Sequence, residues 1–261
     1  MKDISKYQGI IPAFYACYDD NGAISPERVE ALTKYMIKKG VKGVYVGGSS
    51  GECIYQGVAE RKLVLEHVMK AAEGKLTVIA HVACNNTADS MELAAHAESL
   101  GVDAIAAIPP IYFHLPEYAI AQYWNDISAA APNTDFVIYN IPQLAGVALT
   151  MNLFAEMRKN PRVIGVKNSS MPVQDIQMFK AVAGEDYVIF NGPDEQFMSG
   201  RVIGAEGAIG GTYGVIKAML KINEGLELGG VREPLPALIE SDMAIVEEAA
   251  KMVRDAKEKF L

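Results

Sequence analysis

Eight short runs rich in β-branched and aromatic residues alternate along the chain with longer segments of helical periodicity. This alternation is typical of repeated βα units around a parallel sheet. The runs are GIIPAFYACY from Gly9, GVYVGG from Gly43, LTVIAHV from Leu76, AIAAIPP from Ala104, DFVIYNI from Asp135, VIGVKNS from Val163, YVIFNG from Tyr187 and GAIGGT from Gly207. Eight strands are the number that closes a barrel, so the sequence predicts an α/β fold, a (β/α)8 TIM barrel.

The intervening helices carry recognisable boundaries. Ser25 and Pro26 form a cap and a first helical residue, and Gly40 is placed to end the helix that follows them. One helix exit recurs as KGVKGVYV, LGVDAIAA and IGAEGAIG, in which a helix is followed by glycine, a small residue, a polar residue and a strand. The recurrence indicates a repeated structural joint.

Composition excludes several classes of function. The chain has 261 residues and a formal net charge of −8, which argues against nucleic acid and anionic membrane as partners. We found no leader pattern at the start and no apolar stretch of membrane-spanning length, so we expect a cytoplasmic protein. Three cysteines without close pairing and four scattered histidines offer no metal-ligand spacing. We therefore expect no metal site and a small-molecule substrate.

The residues that follow the apolar runs include many polar and ionisable side chains. In barrels of this kind the active site lies at the carboxyl ends of the strands. These ends read GGSSGE at 47–52, PPIY at 109–112, YNIP at 139–142, Lys167, GPDE at 192–195 and GGT at 210–212. The alternation of side chains along strands places Tyr139 and Lys167 on corresponding faces of the fifth and sixth strands. If both faces point inward, the phenol and the amine meet at the barrel mouth.

A lysine at the mouth of an apolar barrel is chemically informative. Desolvation lowers the pKa of a lysine amine and frees its nitrogen to attack a carbonyl group, which forms a Schiff base. A nearby tyrosine can shuttle the proton. For a lone example, a lysine that extends from a strand end toward water is the more common arrangement. The residues at the other strand ends therefore decide between these two interpretations of Lys167.

Two further segments have the character of binding sites. The turn from Gly47 to Gly51 offers two hydroxyl groups and several backbone N–H groups, which suit a carboxylate, although a plain strand-to-helix turn has the same pattern. Asp194 and Glu195 can accept hydrogen bonds from sugar hydroxyls, although such residues alone are more often solvated charges. Together the features indicate a 2-keto acid substrate with a polyol at its other end.

In combination, YVGGSSGE, PPIYF, YNIP, IGVKNSS and NGPDE resemble the Schiff-base pyruvate aldolases, the family that includes dihydrodipicolinate synthase and the N-acetylneuraminate lyases. The five motifs occur in the family's order and cover nearly the whole chain. The resemblance implies a (β/α)8 barrel, no metal or organic cofactor, and a homo-oligomer, which is a tetramer in the family. It also implies retro-aldol cleavage of N-acetylneuraminate, a sialic acid, to pyruvate and N-acetylmannosamine.

The match assigns roles residue by residue. It implies that Lys167 is the Schiff-base lysine, Tyr139 the proton-transfer tyrosine and Tyr112 a tyrosine that assists the relay. Residues predicted to bind substrate are Ser49 and Ser50 at the carboxylate, and Ser169, Gly192, Asp194, Glu195 and Gly211 elsewhere along the substrate. Gly211 stands where some relatives have serine.

One position separates the branches of the family. The synthase branch carries an arginine after YNIP that binds a dicarboxylic substrate, whereas this chain reads YNIPQLAG with Leu144 at that place. Leucine cannot pair with a second carboxylate, which favours the lyase branch. Two alternatives remain open: another Schiff-base 2-keto acid aldolase or synthase, and a non-catalytic barrel or a deletion variant with impaired catalysis.

The C-terminal region is shorter than the family pattern. Comparison with the family pattern implies that the usual eighth barrel helix and the next helix are missing. We predict a barrel over residues 1–214 and a C-terminal segment over 215–261, in which 215–225 takes roughly the place of the eighth helix. An apolar stripe on the final helix, including Ile245, Met252 and Phe260, is expected to pack on the barrel wall of its own chain.

Overall fold

The computed structural model describes residues 3–211 and 214–260. Within these ranges eight parallel strands form one sheet in the order β1-β8-β7-β6-β5-β4-β3-β2. They are β1 (Gly9–Ile10), β2 (Gly43–Val46), β3 (Thr77–His81), β4 (Ala104–Ala107), β5 (Asp135–Asn140), β6 (Val163–Asn168), β7 (Val188–Asn191) and β8 (Gly207–Ala208). Each strand lies in one of the eight predicted runs, which confirms the (β/α)8 architecture.

The segment after β1 joins the two ends of the sheet. Pro12 has no N–H group, and regular pairing of β1 ends before it. Beyond the proline, Ala13 forms a parallel bridge with Tyr45 of β2. The amide of Tyr45 donates to the carbonyl oxygen of Pro12 at 2.9 Å, and the amide of Phe14 donates to that of Tyr45 at 2.8 Å. These bonds close the barrel between β1 and β2.

Helices separate the strands along the chain. The described residues contain α1 (Pro26–Lys38), α2 (Val58–Ala72), α3 (Thr87–Ser99), α4 (Glu117–Ala129), α5 (Pro142–Ala145), α6 (Met151–Met157), α7 (Gln174–Ala183), α8 (Phe197–Val202), α9 (Gly214–Glu224) and α10 (Glu240–Phe260). The side chain of Ser25 caps α1 by accepting from the amide of Arg28, as the sequence predicts. None of the helices in these ranges is both long and apolar enough to cross a bilayer.

Apolar side chains pack in two layers. One layer fills the barrel interior and includes Tyr45, Ile79, Val137 and Phe190. The other lies between the strands and the surrounding helices, where Trp124 and similar large residues are fully buried. Since parallel strands are covered on both faces, the strand segments are almost entirely buried and read as continuous apolar runs.

The register of β5 and β6 brings the two predicted catalytic groups together. Val137 pairs with Gly165 and Tyr139 pairs with Lys167. Because side chains alternate between the faces of a strand, both pairs share the inward face. The predicted meeting of phenol and amine at the carboxyl end of the barrel is therefore confirmed.

The structure corrects one part of the C-terminal prediction. α10 packs mainly against α9, with only Val246 and Ala250 of its residues buried, rather than on the barrel wall. Ile245, Met252 and Phe260 are 67%, 66% and 73% exposed. The physical reason is that α9, the next helix after β8 in the chain, supplies the surface on which α10 rests. Most of the apolar stripe of α10 therefore faces solvent in the single chain, while its member Val246 is buried.

Candidate active site

A cavity of about 300 Å³ opens at the carboxyl ends of the strands. Nine of the ten predicted site residues line it: Lys167, Tyr139, Ser49, Ser50, Ser169, Gly192, Asp194, Glu195 and Gly211. They come from the ends of β2, β5, β6, β7 and β8, which are distant in sequence. Their convergence is what a barrel active site requires, because each strand contributes its own terminal residues.

Lys167 is buried, with only 4% of its surface exposed. Burial lowers the pKa of its amine to about 7, while neighbouring Cys53 and Asp194 oppose that shift. Within the described residues no carboxylate forms an ion pair with it. A substantial fraction of the amine is therefore neutral near pH 7 and able to act as a nucleophile.

We expect the pH dependence of Schiff-base formation to report this lowered pKa. Only the neutral amine attacks a ketone, so the rate should rise with pH and level off above an apparent pKa of about 7. The measurement is the initial rate of pyruvate attachment to Lys167 in the presence of cyanoborohydride between about pH 5 and 9. A rate that still climbs steeply at the upper end would show that the amine is not desolvated.

Tyr139 faces the same amine. Its ring centroid lies 3.8 Å from Lys167 Nζ, and the residue is 3% exposed. Burial raises the pKa of the phenol, and hydrogen bonds with Ser49 and Ser169 partly oppose that shift. The hydroxyl group is therefore protonated at neutral pH and linked to two further hydroxyl groups, an arrangement that suits proton transfer beside the amine.

The predicted carboxylate turn forms a short 3₁₀ segment, Ser49–Gly51, after β2. The amide of Gly51 donates to the carbonyl oxygen of Gly48 at 3.0 Å, which folds the turn back on itself. Ser49 and Ser50 line the cavity, so their hydroxyl groups and the backbone N–H groups of the turn are placed to act as donors at its wall. The turn can therefore bind a carboxylate there.

Two buried residues beside this turn, Arg61 and His81, were missed by the sequence analysis. The guanidinium of Arg61 donates to the carbonyl oxygen of His81 at 2.7 Å, and His81 Nδ1 lies 2.9 Å from the carbonyl oxygen of Gly47. Burial, followed by the charge of Arg61, holds the pKa of His81 well below its ordinary value. A neutral imidazole that donates from Nδ1 therefore fixes the start of the turn. The sequence could have indicated His81, because it is the last residue of β3 and side chains alternate between the two faces of a strand.

Asp194 and Glu195, which follow β7, also line the cavity. Burial, with the charge of Glu195 as the next cause, raises the pKa of Asp194 above its ordinary value. Gly192 lies so close to Ser169 that a Cβ atom there would stand 2.0 Å from Ser169 Oγ. Glycine at 192 thus allows the β6 and β7 ends to approach and brings Ser169 beside the two carboxylates.

The position that was used to separate the family branches, Leu144, lies outside the cavity. Leu144 is 57% exposed in α5 and does not line the cavity, while its neighbour Gln143 does line it. The side-chain Nε2 of Gln143 donates to the carbonyl oxygen of Ser169 at 3.0 Å, a contact the sequence analysis did not anticipate. At Gly211, an added Cβ would stand 3.0 Å from Ser50 Oγ, so glycine leaves room around that hydroxyl group.

Tyr112 is the predicted site residue that the chain does not bring to the cavity. It is 86% exposed, has a φ of 85°, and packs edge-on against Phe113 at 4.9 Å between ring centroids. The left-handed backbone is unusual for a residue other than glycine, and Tyr112 is absent from the residues that line the cavity of Lys167. Tyr112 instead lines a larger groove of about 910 Å³ beside α4, which contains neither the lysine nor the serine turn. We therefore place the active site in the smaller cavity.

No cluster of three or more histidine, cysteine, aspartate or glutamate side chains suited to a metal ion occurs among residues 3–211 and 214–260. The polar groups of the cavity are instead an amine, hydroxyl groups and two carboxylates. The set matches covalent chemistry on a ketone, in which the lysine itself supplies the reactive group.

The family model described as "Dihydrodipicolinate synthetase family" matches residues 6–235. The chain belongs to this family. It is 71% identical to the N-acetylneuraminate lyase of Mediterraneibacter gnavus, with 100% of this chain and 97% of the relative covered. The wild-type sialic acid aldolase of Ruminococcus gnavus superposes with a TM-score of 0.97 at 71% identity, over 98% of this chain and 100% of that one.

A structure described as the catalytic lysine mutant of the same Ruminococcus gnavus aldolase superposes with a TM-score of 0.99 at 70% identity, over 100% of both chains. The alignment with the Mediterraneibacter gnavus lyase runs over 305 positions, more than the 261 residues of this family member. The relative therefore contains residues with no counterpart here.

Proposed function

We propose that this chain is an aldolase-type lyase, a class I aldolase that cleaves N-acetylneuraminate reversibly to pyruvate and N-acetylmannosamine. The observation that carries the proposal is the desolvated amine of Lys167 facing the Tyr139 hydroxyl group in a cavity with a serine-rich turn. The names of the most similar relatives support the same activity.

The reaction follows from the groups in the cavity. The neutral amine of Lys167 attacks the ketone carbon of the open-chain substrate. One amine proton and one proton from solvent leave with the ketone oxygen as water, which gives a protonated imine. The imine withdraws electrons, so the carbon–carbon bond beyond the adjacent carbon breaks and the sugar aldehyde departs. The proton released from the sugar hydroxyl group passes through Tyr139 to the enamine carbon. Water then hydrolyses the imine, which releases pyruvate and restores the amine.

Each wall of the cavity has a separate part in this scheme. Ser49 and Ser50 hold the carboxylate of the keto acid, which fixes the ketone beside Lys167. Asp194 and Glu195 accept hydrogen bonds from the polyol end, and Ser169 and Gly192 form the wall between them and the amine. The chemistry requires no metal or organic cofactor, because the lysine carries the substrate covalently.

The decisive experiment combines turnover with trapping. Purified protein should release pyruvate from N-acetylneuraminate, and pyruvate with borohydride should add a stable mass to a peptide that contains Lys167. Lys167→Ala should remain unlabelled, and Lys180→Ala, which removes a lysine outside the cavity, should label normally. Absence of the adduct on the intact chain would refute the covalent mechanism.

A substrate panel tests the sugar specificity separately. The Asp194-Glu195 pair in the cavity favours a sugar acid over a dicarboxylic product, so kcat/KM should be highest for N-acetylneuraminate among 2-keto acids of differing length. If another 2-keto acid is preferred by orders of magnitude while the Lys167 adduct still forms, the enzyme is a Schiff-base aldolase with a different partner aldehyde.

We also propose a homo-oligomer located in the cytoplasm. Two apolar surfaces support self-association: the exposed stripe of α10, and the groove that contains Tyr112 and Phe113. A mass in solution several times that of the chain, measured by light scattering, would support an oligomer, and a monomer at micromolar concentration would contradict it.

A further inference from the structure

The amine of Lys167 lies between two aromatic faces. Its Nζ atom is 4.1 Å from the centroid of the Tyr45 ring and 3.8 Å from that of Tyr139. The two rings stand nearly perpendicular, at 81° with centroids 5.8 Å apart. The lysine forms no ion pair with a carboxylate in the described part of the chain, so the two ring faces are electron-rich groups that contact its nitrogen without a formal charge.

Tyr45 is held in this position from several sides. It is fully buried on β2, at the bridge that closes the barrel, where its backbone bonds to Pro12 and Phe14. A Cβ atom on Gly48 would stand 2.6 Å from the Tyr45 ring, so the backbone of the carboxylate turn rests directly on that ring. The ring therefore cannot move away from Lys167 without disturbing the turn.

The hydroxyl group of Tyr45 takes no part in these contacts. It is buried and has no hydrogen-bond partner among the described residues. By contrast, Tyr139 is hydrogen-bonded to Ser49 and Ser169. The two tyrosines beside Lys167 thus differ: Tyr139 offers a connected hydroxyl group, and Tyr45 offers chiefly the face of its ring.

We propose that Tyr45 is a further catalytic residue, whose ring face stabilises the positive charge that forms on the Lys167 nitrogen. The inference rests on the proposed Schiff-base function. When the neutral amine adds to the ketone, one amine proton and one proton from solvent leave with the ketone oxygen as water. The nitrogen then has two carbon substituents, keeps one proton and carries one positive charge. The negative face of the Tyr45 ring lies beside this nitrogen, so it favours the charged imine over the neutral amine.

A graded change of the ring tests this directly. Tyr45→Phe removes only the unpartnered hydroxyl group and should change imine formation by no more than about twofold. Phenylalanine bearing one, two and three fluorines at position 45 keeps the ring shape and progressively weakens its negative face. The equilibrium constant of the pyruvate imine should fall stepwise by about tenfold across the series. It is taken from the pyruvate concentration that gives half-maximal labelling after a rapid borohydride quench, well above neutral pH where the amine is already neutral.

Two controls separate charge from packing and from the proposed function. The same fluorinated series at Phe136, a buried residue of β5 in the outer core layer, should leave adduct formation unchanged. The second readout needs no pyruvate: the pH dependence of reductive methylation of Lys167 by formaldehyde should shift to lower pH across the series at position 45. A shift in methylation without any pyruvate adduct in the wild type would refute the proposed function while supporting the ring contact.

The opposite outcomes overturn the inference. A flat response of both readouts at position 45, with normal adduct in the wild type, would show that the ring has only a packing role. A loss of about a hundredfold or more in Tyr45→Phe alone would show that the hydroxyl group, rather than the ring face, acts in the reaction.

Discussion

Replacing Tyr139 with phenylalanine is expected to lower kcat for cleavage of N-acetylneuraminate by about 10²- to 10⁴-fold, the usual contribution of a positioned proton-transfer group. The phenylalanine ring keeps the contact with Lys167 Nζ, which lies 3.8 Å from the Tyr139 centroid, so the pocket keeps its shape. The variant loses only the hydroxyl group that connects to Ser49 and Ser169.

The separate kinetic constants distinguish this role from a structural one. KM should stay within a few-fold of the wild-type value, because substrate binding rests on the serine turn and the carboxylates rather than on the phenol. The pyruvate adduct on Lys167 should still be detectable by borohydride trapping. Together these measurements place the defect after substrate binding.

A matched control is available in the same fold. Tyr123→Phe removes another buried phenol, which donates to the carbonyl oxygen of Cys84 at 2.7 Å and lies outside the cavity. It should lower stability modestly and leave kcat nearly unchanged. If Tyr139→Phe retains kcat within a few-fold, or if Tyr123→Phe loses it equally, Tyr139 is not the proton-transfer group.

The barrel and most of the site could be predicted because both follow from local patterns. Each strand is a short apolar run with turn residues at its end, and parallel barrels gather those ends on one side. The alternation of side chains sufficed to place Tyr139 beside Lys167, and the register confirms it. The site residues at strand ends could thus be predicted from little more than the assignment of the strands.

Tyr112 shows where the strand-end rule stops. It follows β4 closely, but its side chain is 86% exposed and lines the groove beside α4 rather than the cavity of Lys167. The strand-end rule predicts at which end of the barrel a residue lies. It does not predict the direction of a side chain in a loop, which depends on the backbone angles. Its role in the proton relay, implied by the resemblance, therefore stays a prediction.

Tyr45 and Gln143 were missed for different reasons. A tyrosine within an apolar strand has the pattern of an ordinary core residue, and only the barrel geometry places its ring 4.1 Å from the lysine. Gln143 was noted only as a neighbour of Leu144, yet its side chain reaches the carbonyl oxygen of Ser169. Both depend on contacts between distant segments, which no spacing in the sequence encodes.

The second large effect is expected on stability and concerns a buried ion pair. Lys217 of α9 lies 2.8 Å from Glu52, and their side chains are 5% and 2% exposed. Lys217 also donates to the carbonyl oxygen of Gly230, and Glu52 accepts from the amide of Arg232. Since Glu52 directly follows the serine turn, the pair connects the C-terminal segment to the carboxylate-binding site.

Lys217→Met should reduce the free energy of unfolding by about 3–5 kcal/mol, because it leaves the Glu52 carboxylate buried without its cation. The measurement is urea denaturation, with the thermal midpoint as a second observable. Lys221→Met is the matched control on the same helix: its partner Glu227 lies 2.5 Å away, but the side chains are 65% and 40% exposed. That variant should lose no more than about 1 kcal/mol.

A second substitution shows whether the loss comes from the charge. Glu52→Gln combined with Lys217→Met removes both charges, so the double variant should be more stable than the sum of the two single losses predicts. KM for pyruvate should rise in Lys217→Met and remain normal in Lys221→Met, because a loosened Glu52 releases the turn that holds the carboxylate. Equal stability of the two lysine variants would show that the buried pair does not anchor the C-terminal segment to the site.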